Sequence, residues 1–221
     1  MAVLPMFPLG TVLLPGAVIP LHVFEPRYRA LVRDCLEAPE HEFGIVLIAR
    51  GHEVGGGDHR LDVGTVARMM QVAELDDGRY AIVCVGTRRI RINAWLPDDP
   101  YPLADVDDWP DPDVEPSERD ALVERLTAAA SRVGRAAALA AELGDSVPGT
   151  EFDLERIDDP VGASYAICSV APVGAVDTQA LLCEPDAPAR VARLHAMLDD
   201  LETVLDMRLA LESSELDLDD P

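Results

Sequence analysis

The stretch from Met6 to Leu36 constrains the fold more than any other part of the 221-residue chain. Met6–Leu9 and Val18–Leu21 are short runs of strand-forming residues, and each carries a proline, Pro8 or Pro20. A proline has no N–H to give to a sheet ladder, so both segments belong at sheet edges or crossings, not in a sheet centre. Pro15-Gly16 between them reads as a turn. Pro26 then opens a helix, where its missing N–H costs nothing. Tyr28, Leu31, Val32, Cys35 and Leu36 follow at helical spacing and form one apolar stripe.

Beyond this unit, Phe43–Ala49 is a continuous apolar run of strand length. Residues 50–61 read as a loop around Gly55-Gly56-Gly57. Asp76-Asp77-Gly78 separates two β-rich runs, 63–75 and 79–85, and is a hairpin signal. Thr87–Leu96 alternates, with Ile90 and Ile92 on one face and Arg89, Arg91 and Asn93 on the other. Residues 102–109 give one more short strand. Six or seven short strands with one early helix suit a small, partly closed barrel.

The segment Asp107–Pro116 is rich in Pro and Asp and reads as a stiff linker. Ser117 and Asp120 resemble a capping box, and Leu122, Leu126, Ala129, Val133 and Ala137 continue helically. Asp145–Ile157 reads as a loop. Further helices are expected from Asp159-Pro160 to Pro172, over 177–183, and over 186–212. In the last of these Val191, Leu194, Leu198, Leu201 and Leu205 step by three and four, as in a coiled-coil seam, although packing on neighbouring helices is the simpler reading. Residues 213–221 are acidic and read as disordered.

The formal net charge is −23, unevenly placed. Residues 1–96 hold 11 acidic and 10 basic residues, whereas residues 97–221 hold 30 and 8. The second part would repel nucleic acid and anionic membrane surfaces, since phosphate binding needs clustered positive charge. No apolar run reaches the ~18 residues of a membrane span. The apolar start lacks a basic region and is broken by prolines, so it does not read as a signal peptide. Cys35, Cys84, Cys168 and Cys183 are scattered without metal-ligand spacing, fitting reduced thiols in a cytoplasm. All 18 basic residues are Arg. The absence of Lys excludes a phosphate-binding Walker A loop, a Ser-Lys peptidase dyad and Schiff-base chemistry within these residues.

Several clusters could carry function. His22 and Glu25 near Arg27 could act as an acid–base pair. The plainer reading has Glu25 facing the positive helix N-terminus and His22 hydrogen-bonding locally to fix the turn. His52, Glu53, Asp58 and His59 bracket the triple glycine and could take a divalent metal, although a Gly loop holds ligands loosely. Arg79, Arg88, Arg89 and Arg91 crowd one hairpin, as a solvated outer face or as a docking patch for carboxylates of a peptide or of the chain's own acidic tail. Met69 and Met70, with Leu21, Phe24 and Tyr28, could line an adaptable apolar groove. Met69 and Met70 must lie on opposite strand faces. Phe24 and Tyr28 read first as core.

The string Leu21-His22-Val23-Phe24-Glu25-Pro26-Arg27-Tyr28-Arg29, followed by Phe43–Ile48 and Val63–Met69, resembles the N-terminal substrate-recognition domain of Lon ATP-dependent proteases. The likeness is close from Phe7 to about Trp109 and looser to about Leu211. It implies an α+β fold: a PUA-like pseudo-β-barrel at residues 1–110, a linker at 111–116, an all-helical subdomain at 117–211 and an acidic tail at 212–221. It also implies contact with polypeptide substrates without catalysis, on the recognition part alone. The expected partners are unfolded or exposed polypeptide segments, and an ATP-dependent protease or chaperone beside them. The expected peptide-binding residues are Leu21, His22, Phe24, Arg27, Tyr28, Met69, Met70, Arg89 and Arg91, with no cofactor and only His52 and His59 as weak metal candidates. A small-molecule sensor and a metal-dependent or acid–base enzyme are the alternatives.

Overall fold

A computed structural model of the chain describes residues 2–50, 59–145 and 159–216. Residues 2–111 and 112–216 fall into two compact units. The first contains strands β1 (Ala2–Leu9), β2 (Val18–Val23), β3 (Glu42–Arg50), β4 (His59–Glu74), β5 (Tyr80–Leu96) and β6 (Leu103–Asp108), with helix α1 (Pro26–Glu37) between β2 and β3. The second is helical: α2 (Pro116–Glu142), α3 (Pro160–Val170), α4 (Ala175–Leu182) and α5 (Ala187–Leu216).

The sheet order is β2-β5-β4-β3-β1-β6, and β6 returns to pair with β5. This closure works because β5 is long and serves two partners. Its first half pairs with β2, from Val23↔Tyr80 to Val18↔Val85, and its second half with β6, from Ile90↔Asp108 to Leu96↔Leu103. The run at 87–96 is thus the continuation of β5, not a separate strand. Between the halves the β4–β5 register slips at Gly86–Arg88. Gly86 sits there against the Pro15-Gly16 turn. It donates to the Ala17 carbonyl at 2.9 Å, and a Cβ on it would run into the Leu14 carbonyl oxygen.

The prolines lie where their missing donors allow. Strand β1 is a crossing strand: Ala2–Pro5 pair antiparallel with β6, and Met6–Leu9 pair parallel with β3. Strand β2 is an edge strand with β5 as its single pairing partner among the described residues. The expected Asp-Gly hairpin joins β4 to β5, with Gly78 in the left-handed region at φ 77°. Left-handed backbone suits glycine because it lacks a Cβ.

Two apolar clusters fill the barrel. Phe7, Leu9, Val23, Phe43, Ile45, Met69, Ile82 and Cys84 meet Tyr28, Leu31, Val32 and Cys35 of α1 in one core. Met6, Val46, Val66, Ile90, Ile92 and Val106 form the other. Phe7 stacks on Tyr28 with ring centroids 4.2 Å apart.

In the helical unit, α2 begins at Pro116 after Glu115, so Ser117, expected to cap the helix, lies inside it. The heptad-like residues Val191, Leu194, Leu198 and Leu205 are buried inside this unit, as packing on other helices requires. Helix α5 continues to Leu216, so residues 213–216, expected to be disordered, are helical. Residues 146–158, which take in all of the expected 145–157 loop but Asp145, lie outside the described residues. Arg132 joins α2 to α5, bonding Glu202 at 2.9 and 3.0 Å, Asp199 at 2.6 Å and His195 Nδ1 at 3.2 Å.

Candidate functional site: an open seam in the barrel

The barrel is left open along one line. Among the described residues, Phe7–Leu9 of β1 pair only with β3, and β2 pairs only with β5. A recess of about 170 Å³ lies between these two margins, lined by Phe7, Leu9, Pro20, Leu21, His22, Val23, Phe24, Glu25 and Tyr28. Around β2, on the sheet face formed with β5 and β4, a second, shallower depression of about 620 Å³ is lined by Pro20, Leu21, His22, Gln71, Val72, Ala73, Ala81, Ile82 and Val83. Neither lining contains a charged side chain other than Glu25, whose carboxylate takes a hydrogen bond from Arg27 Nε at 3.1 Å.

Strand alternation sets which side chains reach this surface. In β2, Val23 is buried and Ile19 and Leu21 half-buried, while Val18, Pro20 and His22 turn to solvent. Phe24 follows the outward parity and is 51% exposed, so it is a rim residue and not the core residue its size suggested. Tyr28 is 3% exposed and forms the floor. Arg27 lies over the Tyr28 ring, 4.5 Å from its centroid. His22 is exposed beside Phe24, with ring centroids 6.3 Å apart. It makes no hydrogen bond among the described residues, so the expected turn-fixing bond is not formed.

The other expected residues divide. Met69 faces inward into the core, and Met70 is 61% exposed at a register slip in β4, as opposite faces require. Met70 precedes Gln71–Ala73 of the depression. Arg89 and Arg91 are elsewhere, on the second half of β5. Their guanidinium carbons lie 3.8 and 3.5 Å from the Trp109 ring centroid. Arg89 is 2% exposed, donates to the Trp109 carbonyl at 3.0 Å and pairs with Asp111 at 3.4 Å. The solvated arginine face therefore fails at Arg89, which is sealed under Trp109. Arg88 is also engaged, reaching Glu42 at 2.6 Å and Asp108 at 2.9 Å. Of the candidate metal loop, His52, Glu53, Asp58 and the side chain of His59 lie outside the described residues. No group of three or more potential metal ligands occurs among the described residues.

Pro20, Gln71, Ala73, Ala81 and Val83 belong to the surface and escaped sequence reasoning. Each is unremarkable alone, and only the β2–β5–β4 register brings them together. Chemically the surface offers apolar area and strand margin. The buried thiols offer little reactivity: burial pushes Cys35 and Cys84 up to about 12. A thiol so rarely ionised is a poor nucleophile.

The model of the ATP-dependent protease La (LON) substrate-binding domain matches residues 3–200. The chain belongs to the Lon substrate-binding domain family. Lon protease 2 of Myxococcus xanthus is 28% identical over 215 residues, which is 96% of this chain and 25% of that protein. The Lon protease of Escherichia coli (strain K12) is 29% identical over 202 residues, 89% of this chain and 24% of that protein. The chain thus spans about a quarter of the length of these Lon relatives. Among solved structures, the Lon N-terminal domain protein from Xanthomonas campestris superimposes with a TM-score of 0.64 at 26% identity, covering 89% of this chain and 98% of that one. The N-terminal domain of Mycobacterium avium complex Lon protease shares the fold, with a TM-score of 0.64 at 19% identity. The PUA-like α+β architecture is therefore the Lon N-terminal one. Among the described residues no helix is long and apolar enough to cross a membrane.

Proposed function

We propose that this chain is a non-catalytic recognition module for exposed apolar segments of unfolded polypeptides, acting in the cytoplasm beside an ATP-dependent protease or chaperone. The observation that carries the reading is the open seam: a recess whose one charged lining residue is Glu25, flanked by a strand margin, in a member of a substrate-binding family. Its contact residues are Leu21, His22, Phe24 and Tyr28, joined by Pro20 and Val83, with Arg27 and Met70 at the border. The proposed contact set leaves out Met69 and Arg89, which are buried, and Arg91, which lies over Trp109 on the second half of β5. Such a surface selects for apolar, extended chain and tolerates varied sequence. The strong acidity keeps an apolar binding surface dispersed.

The test is suppression of aggregation of a chemically denatured client, read by light scattering. Wild-type chain suppresses it, and Phe24→Asp, which puts a charge on the rim, does so much less. Equal scattering with and without the wild-type chain overturns the proposal.

A further inference from the structure

The hydrogen bonds around β2 give the proposed site a definite mode of binding, and this inference rests on that reading. Ala17 accepts from the Gly86 N–H at 2.9 Å, so at Ala17 the backbone faces β5. Backbone groups alternate sides along a strand. Ile19, Leu21 and Val23 therefore turn their N–H and C=O toward β5, and Val18, Pro20 and His22 turn theirs to the open seam. On the facing margin, Met6 donates to the Pro102 carbonyl at 2.8 Å, which sends the backbone groups of Phe7 and Leu9 toward β3, and Pro8 between them is buried. Pro8 has no N–H to offer. The two margins are thus unequal: β1 offers no donor at Pro8, whereas exposed β2 presents complete donor–acceptor pairs at Val18 and His22 and a carbonyl at Pro20.

We propose that the occupant is an extended, uncharged apolar segment of another polypeptide, added to β2 as a further strand in register with Val18 and His22. Every second residue of that segment bonds to β2. One of its apolar side chains enters the recess over Tyr28, between Phe7 and Phe24. A second copy of this chain is the poorer occupant. Pairing β2 with itself about its centre places Pro20 opposite Pro20, so two carbonyls meet and no donor stands between them. Proline on an edge strand blunts self-association in this way. A segment supplied by another protein loses one bond at Pro20 and keeps the rest.

The test uses a short fluorescein-labelled peptide alternating valine and threonine around one central phenylalanine, with binding read by anisotropy. A series of peptides carries one backbone N-methyl each. Strand addition predicts that methylation at alternate amides weakens binding about fivefold or more and that the amides between are insensitive. Pro20→Val restores the missing donor and tightens the parent peptide about three- to tenfold. If the parent peptide binds but the series is flat and Pro20→Val changes nothing, side chains alone hold the peptide; strand addition is overturned and the recognition function stands. If the parent peptide does not bind at all, both fall.

Discussion

Phe24 and Tyr28 stand four residues apart at the junction of β2 and α1, and the same motif sends them to opposite fates. Tyr28 is sealed under Phe7, so Tyr28→Ala should cost about 3–5 kcal/mol of stability, read by chemical denaturation. Phe24 is half exposed, so Phe24→Ala should leave stability within about 0.5 kcal/mol while weakening peptide binding about tenfold. A large stability loss in Phe24→Ala would mean the ring belongs to the core after all. The cysteines supply a pH dependence. Burial raises Cys35, Cys84 and Cys168 from 9.0 to about 12. The folded state then holds their protons where the unfolded state releases them. Their contribution is whole below pH 9 and is lost as pH rises toward about 12. Denaturation midpoints should fall across that window, and Cys84→Ala should shallow the fall. How far the sequence was readable differs by residue. The fate of Phe24 was encoded in β2's alternation, because Val23 points inward and the next residue must point out. The burial of Arg89 was not, because it depends on Trp109, which lies twenty residues away and arrives only when β6 closes on β5.

At the scale of elements, each proline-bearing segment went where a missing donor does least harm, and this was legible from the sequence. The continuation of β5 past Gly86 was not, because a register slip leaves no mark on hydrophobic alternation. Nor was the start of α2, where Pro116 opens the helix and Ser117 falls inside its first turn instead of capping it. The α2–α5 clasp makes its own prediction. Hydrogen bonding to Arg132 holds the Glu202 carboxyl below its ordinary value of 4.5. A depressed carboxyl stabilises the fold above that ordinary value and loses its effect as pH falls through the folded value. Acidification below about pH 4.5 should therefore weaken the helical unit. Arg132→Met should be less stable at neutral pH and lose less on acidification, as followed by circular dichroism in urea. Identical acid limbs in the two proteins would show that the clasp contributes nothing.

For the whole molecule, charge and proposed binding surface are segregated along the chain. The acidic excess lies in residues 97–221, and the seam lies in the near-neutral first part. The proposed binding there would draw on apolar area and backbone hydrogen bonds, so raising salt from about 50 to 500 mM should change peptide affinity less than about twofold; charge-driven binding would weaken steeply. The central claim is that polypeptide is gripped at the seam between β1 and β2. The most direct measurement is amide chemical-shift mapping while an extended apolar peptide is titrated into the isotopically labelled chain. The account predicts shifts concentrated at residues 18–25, 71–73 and 81–83. Shifts confined to the Arg89–Trp109 face or to the helical unit, with the β2 amides unmoved, would contradict it.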